Sequence, residues 1–83
     1  MLIITDLLEI ADTYRSLLGI EAETTVSHRV FGDTKRLGAL RDGREITVGR
    51  FHTAMGWFAA NWPEGAEVPL KLRQYLPPQE AAE

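Results

Sequence analysis

Residues 19–30 read Gly-Ile-Glu-Ala-Glu-Thr-Thr-Val-Ser-His-Arg-Val, and this stretch decides how the chain is organised. Gly19 follows an amphipathic segment, and a glycine can take the left-handed conformation that closes one helix and turns the chain sharply into another. Beyond it, Ala22, Val26 and Val30 recur every four residues, so a helix from about Ala22 to Phe31 would bury that face. Its other face then presents Thr24, Thr25, His28 and Arg29. Short hydroxyls and compact donors of this kind can approach base edges and phosphates closely.

Upstream, the pattern predicts a helix over residues 6–18. Asp6 with Glu9 has the spacing of a capping box, with Thr5 as the alternative cap. Leu7, Ile10, Ala11, Tyr14, Leu17 and Leu18 fall on one face. Downstream, the second helix should stop at Gly32-Asp33. A short third helix, from Thr34 or Lys35 to Leu40 or Arg41, should bury Leu37 and Leu40 and end at Asp42-Gly43. Residues 45–48 are either a brief extended piece or a lead-in where Thr47 caps the next helix. The clearest periodicity follows: Val48, Phe51, His52, Met55, Phe58, Ala59 and Trp62 form a continuous apolar stripe, which Trp62-Pro63 closes. Trp57 falls off the stripe and is expected at the surface, where it can cover the tail or a second subunit. Four prolines (63, 69, 77 and 78) break up the rest. Residues 68–76 are expected to form an arm packing by Leu70, Leu72, Tyr75 and Leu76, and residues 77–83 to be disordered.

The chain has 83 residues and a mass of 9.3 kDa. A domain this small hides only about 60% of its unfolded surface, so its stability depends on a well-made core or on a second copy. Cysteine is absent, which removes disulfide staples and Cys-based metal sites and fits a cytoplasmic protein. No apolar run is long enough to span a membrane, and the opening Met-Leu-Ile-Ile lacks the flank and length of a signal peptide. The net charge of −3 argues against nucleic acid, but its distribution does not. Residues 28–50 hold six cations (Arg29, Lys35, Arg36, Arg41, Arg44 and Arg50) against three anions, a local +3. Such clustering, more than the total, sets what a phosphate backbone feels.

Catalytic patterns are missing. His28 and His52 belong to no spaced ligand set, and the glycines form no phosphate loop. Ser16 and Ser27 lack nucleophile-elbow surroundings. Asp6, Glu9 and Asp12 read as a solvated acidic face near a helix N-terminus. His52 reads as a core-edge histidine. The expectation is therefore no enzyme, no cofactor, no metal and no small-molecule substrate. DNA binding, by contrast, gives each exposed residue a task. Thr24, Thr25, His28 and Arg29 would contact bases, with Arg29 either gripping guanine in bidentate fashion or clamping the backbone. Ser27, Lys35, Arg36, Arg41 and Arg44 would contact phosphates. The bland counterpart is that the hydroxyls only cap backbone amides and the cations form a solvated rim.

Gly19-Ile20 followed by Thr25-Val26-Ser27-His28-Arg29-Val30 resembles the Gly-Val-Ser…Thr-Val-Ser-Arg run of the Lac repressor and lambda repressor-like helix-turn-helix families. The likeness covers the stretch from Gly19 to Val30. It implies that the helix from Ala22 is a recognition helix with Thr24, Thr25, Ser27, His28 and Arg29 on its contacting side. His28 stands where those families often place arginine. Only one helix precedes the turn glycine, so the five-helix lambda repressor arrangement is not implied. The small size and the Trp-Pro ending are similar to small phage or prophage regulators.

These readings together predict an all-α fold: a compact four-helix helix-turn-helix domain over residues 1–63, with a Pro-rich C-terminal arm over residues 64–83. The expected function is sequence-specific binding of double-stranded DNA by a small, repressor-like transcriptional regulator. A homodimer is expected, built through Trp57, the arm or the first helix. The alternative is a small helical protein-interaction module, antitoxin-like or an adaptor, without direct DNA binding. A structural accessory role comes third.

Overall fold

The computed structural model describes residues 4–75. It is all-helical, with α1 over Ile4–Leu18, α2 over Glu23–Phe31, α3 over Arg36–Arg41, α4 over Val48–Ala60 and a short α5 over Leu70–Arg73. The expectations for Leu76 and for residues 77–83 lie outside the described residues.

α1 and α4 form the centre. Leu7, Ile10, Ala11 and Tyr14 of α1 meet Phe51, Ala54, Met55, Phe58 and Ala59 of α4 in a common core. α2 adds Val26, α3 adds Leu37 and Leu40, and the loop before α4 adds Ile46. Full burial of side chains such as Phe58, Leu7 and Leu37 contributes about 1.5–3 kcal/mol each. In a domain this small, those few residues carry much of the stability.

The Gly19 corner forms as the spacing requires. Gly19 has φ +67°, its N–H donates to the Ser16 carbonyl at 3.2 Å, and the Ile20 N–H reaches the Arg15 carbonyl at 3.0 Å. This pair of bonds is a Schellman closure, which satisfies the last carbonyls of α1. Arg15 then donates from Nη1 to the Glu21 carbonyl at 2.7 Å and so ties the corner down. α2 also ends on a left-handed glycine, Gly32 at φ +73°, but through the simpler single bond of its N–H to the His28 carbonyl at 2.7 Å. At residue 47, the cap wins over the extended alternative: the Thr47 hydroxyl accepts from the Arg50 N–H at 3.2 Å.

Several local expectations are corrected by packing. Ile4 and Thr5 are already helical, so Asp6 and Glu9 lie inside α1 rather than forming its cap, and both pair instead with Lys71. Tyr14 is the last buried residue of α1. Leu17 and Leu18 continue the apolar period past the covered surface and are exposed. Ala22 is the exposed residue that precedes α2, not part of its buried face. In α4, Val48 and His52 are exposed while Ala54 is buried, because the covered strip is shifted round the helix from the one the period suggested.

Trp57 is half-buried, not exposed: its ring stands edge-on to Tyr14 at 5.6 Å and to Phe58 at 5.4 Å. Residues after Pro63 pack onto the same core. Leu72 of α5 is fully buried, whereas Leu70 points into solvent. Lys71 beside it is held by Asp6, at 2.9 Å, and by Glu9 of α1. The Trp62 indole N–H closes the intervening loop by donating to the Glu67 carbonyl at 3.1 Å. No described helix is long and apolar enough to cross a membrane.

Candidate nucleic-acid interface

α2 has two faces of opposite character. Inward, Val26 and Ser27 are completely buried. Outward, Thr24, Thr25, His28 and Arg29 are exposed and line one shallow cleft of about 320 Å³ together with Thr34. Thr24 and His28, like Thr25 and Arg29, are four residues apart, which stacks each pair along a single side of the helix. The four side chains named from the sequence thus share a single surface. Thr34 joins them because Gly32 folds the chain back toward α2, a placement that helical spacing alone does not reveal.

Ser27 has a different role from the phosphate contact expected of it. Its hydroxyl accepts from the Leu37 N–H at 3.1 Å and donates to the Asp33 carbonyl at 2.5 Å. Buried and engaged on both sides, it cannot meet a phosphate. It instead fixes the start of α3, which no side chain caps locally. The Asp33 carboxylate completes the turn by accepting from the Lys35 N–H at 2.8 Å.

Arg29 is anchored from below. Its Nη1 donates to the Tyr14 hydroxyl at 3.2 Å, across fifteen residues of sequence. The sequence pattern marked Tyr14 only as core. A tyrosine on the core face of a helix carries a hydroxyl that needs a hydrogen-bond partner, and that is the signal that could have suggested this second role.

The cations divide into two groups. Arg41 is committed to carboxylates on the surface, with Nη2 2.5 Å from Asp12 and Nε 2.6 Å from Glu23. Burial pulls its guanidinium down, but the hydrogen bonds and charges of Glu23 and Asp12 outweigh that and hold it above its ordinary value. With two carboxylates offsetting its charge, Arg41 is poorly placed for the phosphate contact expected of it. Lys35, Arg44 and Arg50 are exposed and form no ion pair among the described residues. Arg36 is half-buried, and its Nε is enclosed without a hydrogen-bond partner among the described residues. Arg50 entered the sequence reading only as local charge. In the fold it stands beside Val30, Phe31, Thr53 and Ala54, next to the end of α2.

A second cleft, of about 310 Å³, lies between α1, α4 and α5 over Phe51 and Met55. Within it, His52 Nδ1 lies 2.7 Å from the Tyr75 hydroxyl, and Lys71 is paired with Asp6. Among the described residues, no three carboxylate or imidazole groups gather closely enough to hold a metal ion. No protein-family model matches the chain, and no curated protein or solved structure matches it either.

Proposed function

We propose that this protein binds double-stranded DNA, with α2 as the helix that enters the major groove. The observation that carries this reading is the split between the faces of α2. Thr24, Thr25, His28 and Arg29 stand together in solvent while Val26 and Ser27 are sealed in the core. A helix that shows hydroxyls, an imidazole and a guanidinium on a single open side carries the donors that discriminate base edges. Lys35 and Arg44, exposed and unpaired among the described residues, supply the phosphate grip, with Arg36 beside them. These unpaired cations, in a chain of net charge −3, would orient the approach.

With one short reading helix and few cations per chain, useful specificity calls for two copies on half-sites about one helical turn apart, in the manner of a small transcriptional regulator. The protein-interaction alternative drew on the acidic ends of the chain and on an exposed Trp57, and Trp57 is half-buried against Tyr14 and Phe58. Fluorescence titration of random and genomic duplexes at two salt concentrations tests the reading. Salt-dependent binding supports it, as does its loss of sequence preference in Arg29→Ala with an unchanged fold. Absent or salt-insensitive binding would transfer the case to a protein partner.

A further inference from the structure

We infer that Tyr14 is a positioning residue for base recognition, holding Arg29 so that its free donors meet the acceptor edge of a guanine; this rests on the DNA-binding reading above. The Tyr14 ring cannot shift. It is 3% exposed and meets Trp57, Phe58 and Trp62 at centroid distances of 5.6, 5.4 and 6.0 Å. Its hydroxyl is therefore held in place as an acceptor, and Arg29 Nη1 donates to it at 3.2 Å. An exposed arginine otherwise samples many rotamers, and ordering it on binding costs affinity. One fixed bond removes part of that cost in advance. The remaining guanidinium donors have no protein partner among the described residues, and Arg29 lines the cleft beside Thr25 and His28.

The nature of the anchor matters as much as its rigidity. Arg41 is held by carboxylates, which offset its charge and occupy Nε and Nη2. Tyr14 is neutral, so Arg29 is oriented with its charge intact. A planar fork held in this way suits the paired acceptors of guanine O6 and N7, whereas a backbone clamp needs only charge.

The test begins with selection of duplexes from a random pool by the full chain, to find the guanine whose preference over adenine Arg29→Ala abolishes. Parent, Tyr14→Phe, Arg29→Ala and the double variant are then titrated on the guanine and adenine duplexes at two salt concentrations, with thermal melts alongside. The inference expects Tyr14→Phe to keep its melt and salt slope but lose about two- to tenfold in guanine preference, the cost of freeing one side chain. It also expects the double variant to match Arg29→Ala. Full guanine preference in Tyr14→Phe, or a loss that simply adds to that of Arg29→Ala, would overturn the positioning role and leave DNA binding standing. No enriched duplex, or a preference indifferent to Arg29, would overturn the proposed function and the inference together.

Discussion

The Ser27 hydroxyl receives the Leu37 backbone N–H at 3.1 Å, so a side chain of α2 caps the first turn of α3. Both residues are fully buried, and the same hydroxyl donates to the Asp33 carbonyl. Ser27→Ala removes the acceptor and leaves the buried Leu37 N–H unsatisfied. Such a loss costs about 1–3 kcal/mol. In a domain of this size that is a fall in Tm of roughly 4–8 °C per kcal/mol. Denaturant melts of parent and variant check it, and an unchanged midpoint would mean that this bond contributes nothing.

Gly32 closes α2 at φ +73° with open space where a Cβ would go. The penalty for alanine is thus conformational and not steric. Gly32→Ala should cost about 1–2 kcal/mol, the price of a left-handed L-residue. Gly49→Ala, in α4 without a positive φ and with equally open surroundings, should be neutral or mildly stabilising. Equal melts for the two variants would refute the assignment.

α5 separates what packs from what only looks apolar. Leu72→Ala deletes a fully buried side chain and should cost about 2–5 kcal/mol. Leu70→Ala, at a residue 79% exposed, should stay within about 0.5 kcal/mol of the parent. Chemical denaturation of both variants distinguishes a docked helix from a loose arm.

Lys71 ties α5 to α1. Its hydrogen bonds to Glu9 and then Asp6 raise its ammonium above the ordinary lysine value. A cation raised on folding stabilises fully below its unfolded pKa, and that contribution disappears as the pH climbs through the folded one. The advantage of the parent over Lys71→Met should therefore be flat through neutrality and shrink above the ordinary lysine range, about pH 10.4. Paired melts across alkaline pH check the sign, and a difference that grows with pH contradicts it. Because the ammonium is solvent-accessible, added salt should narrow the same gap.

The two groups of cations should separate in their salt dependence. Under the proposed function, Lys35→Ala and Arg44→Ala each lower the slope of log affinity against log salt by about 0.9 and weaken all duplexes alike. Arg41→Ala should change that slope far less, because Asp12 and Glu23 already hold its charge. Equal slopes for all three variants would place Arg41 back on the backbone.

Local chemistry alone foretold α1 to α4, the left-handed glycine corner at residue 19, the buried pair Leu37 and Leu40, and the polar side of α2, but not the short α5 inside the expected arm. Each depends on neighbours within a turn or two, where spacing and φ preference act directly. Long-range contacts decided the rest. Ser27 belongs to the interior, where it caps α3, Arg41 is taken up by Asp12 and Glu23, and Trp57 packs against Tyr14. Helical period reports which side chains share a face, but the width and offset of the covered strip depend on which helix lies across it. For the same reason, Leu17 and Leu18 keep the period yet remain uncovered, and Arg29 is matched to Tyr14 only once α2 lies against α1.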